Sequence, residues 1–216
     1  MKKFALLFIL ICAGNMVYPQ ISLRGGMGIN FVSAPSLKDY LNVSQFAPAD
    51  NQVASFNTAI NFSGEVDFRA AKNYDLGVEV AYLYNSFNFS PGGGRYILSY
   101  GILMPTIVNY YVIDGAGYNF KFGGGLGLRL ASINESLPFS SNSNNYTSVG
   151  FGILLRAMGN TAISSNVYAN IMGDIRYDLN GTPKNNGNAL VDKVLNTNVS
   201  LNSLSVGISL GITYIF

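Results

Sequence analysis

The chain has no histidine and no tryptophan, and its only cysteine is Cys12. The missing histidine excludes Ser-His-Asp hydrolysis, His-dependent proteolysis and His-ligated metals. Cys12 sits in an apolar N-terminal run, and Ile11 before it stands where a lipid-attached cysteine would want a small residue. With that run removed the chain holds no thiol, so disulfides, thiolate nucleophiles and Cys-ligated metals fall away. Charge is scarce too, at 11% of residues against roughly 25% in soluble domains. Beyond the N-terminus no stretch reaches the ~18 uninterrupted apolar residues of a membrane helix. With Lys2 and Lys3 set aside, 11 basic residues face 11 acidic ones. That balance argues against a nucleic-acid partner, which wants a basic field. No catalytic residue, no cofactor and no metal site is expected.

What is present is aromatic and small. Tyr and Phe number 14 each, and Gly 24. Residues 1–20 open with Lys2 and Lys3, pass through an apolar core too short to span a bilayer, and turn polar. That is the pattern of a secretory signal peptide, removed on export. Residues 21–216 then suit one domain. The glycine runs at 92–94 and 123–125 lack the Lys-Ser/Thr signature and βαβ setting of a phosphate loop.

The domain divides into eight segments of period two, the mark of strands with one greasy face. They cover about 21–31, 58–70, 74–87, 95–113, 117–132, 147–158, 164–179 and 205–216. In the first, Ile21, Leu23, Met27, Ile29 and Phe31 oppose Ser22, Arg24, Gly26, Gly28 and Asn30. In the fourth, Tyr96, Leu98, Tyr100, Ile102, Met104, Val108 and Tyr110 share a parity and read as its apolar face. Pro105 in that strand predicts a bulge or break. Connections at 71–73, 114–116 and 159–163 are short, whereas 32–57, 88–94, 133–146 and 180–200 are long and polar. All long loops fall at one end.

Few charges, many aromatics and no spanning helix point to an all-β fold, an eight-stranded antiparallel up-and-down transmembrane β-barrel. Aromatic girdles are expected at Phe68, Tyr110, Tyr118, Tyr214 and Phe216 on one rim. On the other rim they fall at Phe31, Tyr82, Tyr84, Tyr96 and Tyr177. A soluble barrel with its apolar face inward alternates as well, but its outer surface would need more Lys and Glu.

The last segment, SVGISLGITYIF, places Val206, Ile208, Leu210, Ile212, Tyr214 and Phe216 on one face. As an open edge it would invite aggregation, so it is expected to pair with the first strand and close the barrel. It resembles the C-terminal strand of bacterial outer-membrane β-barrels, which ends in Phe. The whole of residues 21–216 resembles the small porin-family barrels of the OmpA-transmembrane and OmpX type. The resemblance implies a place in the Gram-negative outer membrane, with lipid around the wall, turns in the periplasm and loops outside. It also implies that the barrel-insertion machinery reads Ile212, Tyr214 and Phe216 during biogenesis. Barrel enzymes of that membrane rely on histidine, which this chain lacks.

Inward charges are expected at Arg24, Glu65, Asp67, Arg69, Glu79, Lys121, Arg129, Arg156, Asp174 and Arg176. Charges inside a narrow barrel must pair or remain hydrated. Eight strands leave an interior that side chains fill, which favours a structural ion-pair network over a conducting or catalytic site. Glu65 and Asp67 are read as partners of Arg69 rather than as an acid–base pair. Residues 36–41 suggest a helical turn, and 51–56 and 190–195 suggest loop packing. The expected role is a non-enzymatic barrel, structural or in contact with a surface ligand through its loops. The alternative is a small channel for ions or hydrophobic solutes, motivated by the inward Gly and Ser.

Overall fold

The structure is a computed structural model that describes residues 20–43, 52–90, 94–140 and 142–216. The expected signal peptide lies outside the described residues except for Gln20. Four two-residue strands lie within 184–198, and the eight strands of the ring are β1 (Ile21–Ser33), β2 (Asn57–Ala71), β3 (Tyr74–Phe89), β4 (Tyr96–Gly115), β5 (Tyr118–Ser136), β6 (Ser143–Ala162), β7 (Val167–Asn180) and β8 (Ser203–Ile215). Each pairs antiparallel with the next. β1 also pairs with β8, from Ser22 opposite Ile215 to Ser33 opposite Leu204, and the ring closes. The Phe216 N–H donates to the Ile21 carbonyl at 2.9 Å, extending that seam to the last residue. Closure removes every open edge of the ring and satisfies its backbone groups internally, the condition for crossing hydrocarbon with strands.

The apolar faces of β1 to β3 and β5 to β8 point outward. Met27, Leu126, Ile208 and Leu210 are each more than half exposed. Aromatic rings meet at the turn end, with Tyr74 and Tyr111 at 5.4 Å and Tyr214 and Phe216 at 4.7 Å between centroids. β4 departs from expectation. Tyr96 and Tyr110 are fully buried inside the barrel and belong to neither girdle. β4 is apolar at both parities, so alternation carries no sign. Its register decides: Thr106 stands opposite the buried Glu79, which turns the even residues inward and leaves Leu103, Ile107 and Tyr111 outside.

Pro105 makes no bulge. β4 keeps one register on both sides of it, with Leu103 opposite Leu130 and Thr106 opposite Gly127. The ladder to β3 continues through it, Val80 facing Pro105, and only the pairs toward β5 lapse at 104–105. The missing N–H is thus absorbed on one side. A register shift occurs instead between Arg69 and Ala71, beside the β2–β3 turn.

The expected loop at 133–146 is mostly strand. β5 and β6 stay paired as far as Ser136 opposite Ser143. Leu130 opposite Val149 is the last apolar outward pair on this hairpin; above it Ser132 faces Thr147 and Asn134 faces Asn145. Those outward polar residues read as a loop because a wall above the lipid is polar outside. β4, β5 and β6 run 20, 19 and 20 residues, whereas about 9–11 suffice to span.

Inside this raised wall lies an apolar cap. Helix α1 (Pro35–Val43) extends the helical turn expected at 36–41. Pro35 opens it, where a missing N–H does no harm, and Leu37, Tyr40 and Leu41 share one face. They pack into a cluster with Leu83, Tyr96, Leu98, Tyr100, Ile102, Ile133, Leu190 and Leu201. Leu41 is fully buried there. Leu41→Ala should cost the cap about 2–5 kcal/mol. Limited proteolysis should show faster cleavage within 181–202, while the folded barrel keeps its gel mobility.

Candidate functional site

The barrel interior is layered. At mid-height six of the expected residues come together. Glu79 on β3 is the hub: it accepts Arg24 Nη2 on Oε2 at 2.7 Å and Arg176 Nη2 on Oε1 at 3.0 Å, and a third close pair comes from Arg156. Glu65 Oε2 takes Arg24 at 2.9 Å, Arg156 at 3.1 Å and the Tyr110 hydroxyl at 2.9 Å. Asp174 takes Arg156 and Arg176, each at 3.3 Å. Strand alternation aims all of these inward, and the guanidiniums let Arg24 and Arg176 each bridge two carboxylates and Arg156 three.

The other four stand apart. Asp67, Arg69 and Lys121 gather at the turn end. Lys121 reaches Asp67 at 3.0 Å and Asp75 at 2.8 Å. Arg69 does not pair with Glu65 or Asp67; it reaches Asp75 at 2.5 Å and Asp114 at 2.8 Å. The β2 bulge beside Arg69 lies at the rim, where Asp75 and Asp114 are the nearer acids. Arg129, toward the loop end, pairs with Asp178 and donates to Thr106 at 3.2 Å. Of the C-terminal residues, Ile212 and Tyr214 face outward on β8 and Phe216 ends the seam.

Asp75, Asp178 and Glu135 are absent from the expected set, yet all three are buried. Asp75 shares its parity with Glu79, and Asp178 with Arg176, so the alternation already pointed them inward. Both lie near strand ends, where facing is harder to read. Their addition brings inward acids level with inward bases. Glu135 falls in the expected loop 133–146, which is strand at this point. It sits in the cap and accepts the Tyr40 hydroxyl at 2.5 Å and the Tyr96 hydroxyl at 2.8 Å. Burial, then the Glu135 carboxylate, push the Tyr40 hydroxyl far above the ordinary tyrosine range, so it stays a donor.

Inward glycines are spaces already taken. A Cβ on Gly207 would stand 2.6 Å from Asn30 Nδ2, and one on Gly152 would collide with Asp178 and Arg129. The hub makes the mid-height layer sensitive to one change. Glu79→Gln leaves three guanidiniums short of a charge and should cost about 3–5 kcal/mol, read by urea unfolding in lipid vesicles. Combined with Arg156→Met, the loss should be smaller than the two single losses together.

No protein-family model matches the chain, and no curated protein matches it by sequence. Solved structures match it by shape. Neisserial surface protein A (NspA) is 15% identical with a TM-score of 0.51, over 91% of this chain and 97% of that one. Ail, the attachment invasion locus protein of Yersinia pestis, in complex with the heparin analogue sucrose octasulfate, is 12% identical with a TM-score of 0.54. That match covers 92% of this chain and 99% of Ail. A second Ail structure gives 13% and 0.53. The likeness does not single out the OmpA or OmpX branch. At such identities it speaks of the fold, and the fold is that of the small outer-membrane β-barrels.

Proposed function

We propose that this chain is exported to the outer membrane and acts there as a non-enzymatic barrel, structural or in contact with a surface ligand. In this reading lipid surrounds the apolar wall, and residues 32–57, 88–94, 133–146 and 180–200 face outside. The observation that carries it is the double closure of the interior. The salt-bridged layer around Glu79 fills mid-height, and the apolar cap with α1 covers the wider mouth above. A wall closed twice suits a platform that displays loops. The absence of histidine and the binding of each inward carboxylate below the cap to guanidinium or ammonium groups leave no evident general base in the lumen. The insertion machinery remains the expected reader of Ile212, Tyr214 and Phe216.

The alternative remains a small channel; two of the inward glycines that motivate it, Gly152 and Gly207, lie against Arg129 and Asn30. The refolded mature chain, with insertion verified by its heat-dependent gel mobility, should be silent in a planar bilayer. Steady conductance steps that change when Glu79 or Arg129 is neutralised would make it a pore.

A further inference from the structure

A cleft of about 520 Å³ opens at the loop end between α1, the β5–β6 hairpin and the 181–202 loop. Tyr40, Glu135, Tyr146, Leu190, Asp192 and Lys193 are among the residues that line it. Its size falls in the range of small-ligand sites, roughly 300–1,000 Å³. It lies above the last apolar pair of the hairpin, Leu130 and Val149, and so opens to water rather than lipid.

Two carboxylates in this cleft are buried, Glu135 and Asp192, each 3% exposed. Every inward carboxylate lower in the barrel meets a Lys or Arg: Glu65, Asp67, Asp75, Glu79, Asp174 and Asp178. Glu135 and Asp192 form no salt bridge among the described residues. Both tyrosine hydroxyls reach the same Glu135 oxygen, Oε1. Asp192 Oδ1 accepts the N–H groups of Val194 at 2.8 Å and Leu195 at 3.1 Å, and its Oδ2 is buried with no donor among the described residues. Lys193 lines the same cleft but is exposed and pairs with neither acid. Buried carboxylates without a counter-charge are costly, and neutral hydroxyl and amide donors answer only part of that cost. Leu190 and the Tyr146 ring add apolar wall beside them.

We propose that this cleft binds a primary ammonium group on a short aliphatic stem, with Glu135 as its counter-charge and Asp192 as a second acceptor. The chemistry is shared by a lysine side chain of a partner and a free alkylamine. The inference rests on the reading of the loop end as the ligand-facing end. Binding in detergent does not depend on which way that end faces, so either idea can fail without the other.

The test is calorimetric titration of the refolded mature chain in detergent micelles at neutral pH. The probes are n-pentylamine, n-pentanol and Nα-acetyl-lysine methylamide. Saturable binding of pentylamine and not of pentanol is expected. Glu135→Gln, which keeps an acceptor for the two tyrosines, should weaken it about tenfold or more. Asp114→Asn, at the opposite end, should leave it unchanged. Asp192→Asn should also weaken it, and decides the matter if the Glu135 variant does not fold. Tighter binding of the lysine derivative than of pentylamine assigns the group to a peptide side chain; the reverse assigns it to a free amine. Equal binding of pentanol, no saturable binding, or an amine affinity that neither variant changes overturns the proposal.

Discussion

Hydrocarbon around a strand barrel answers no charge, so whatever charge the wall carries must be settled inside it. Glu79 is where this chain settles most of it. One carboxylate on β3 draws arginines from β1, β6 and β7 across the lumen. The neighbouring features follow from that demand. Glu65 and Asp174 share the same guanidiniums, and Tyr110 faces inward to donate to Glu65. Small residues elsewhere on the wall leave room for the long side chains of the lumen. The outer face can then be mostly apolar because the charges of the wall are met inside.

Above the lipid the rule reverses. β4, β5 and β6 rise well past β1 and β8, which have 13 residues each. There the outward residues are polar and the inward ones apolar, as in a soluble domain. Helix α1 and part of the 181–202 loop complete that small core. Among the described residues, the cap is the one region where carboxylates are buried among tyrosines and aliphatic side chains rather than among arginines.

Most of the wall was legible in the sequence because seven strands are apolar mainly at one parity. Ile60, Phe62, Val66 and Phe68 against Asn61, Glu65 and Asp67 leave little choice of facing. β4 was not legible, since Tyr110 and Tyr111 are equally at home on either face and only the pairing with β3 separates them. The inward charges were read from parity, yet their partners were not. Arg69 finds Asp75 and Asp114 through a turn and a bulge, and Arg129 finds Asp178 across the glycines of β6. The cap escaped notice for a different reason. A raised hairpin with polar outward residues has the composition of a loop, and Glu135 reads as a solvated acid until α1 is folded over it.

The hub also has a bearing on timing. Glu79 and Glu65 are synthesised and threaded long before Arg156 and Arg176, and the strands between them must be in place before the lumen exists. Arg24 can meet Glu65 early, since β1 and β2 are sequence neighbours. The remaining guanidiniums arrive only with β6 and β7. The first four strands alone therefore carry an inner face with more carboxylates than bases: Glu65, Asp67, Asp75 and Glu79 against Arg24 and Arg69. Contacts of such long sequence separation form slowly. The mid-height network is thus complete only when β6 and β7 join the sheet and the ring is shut.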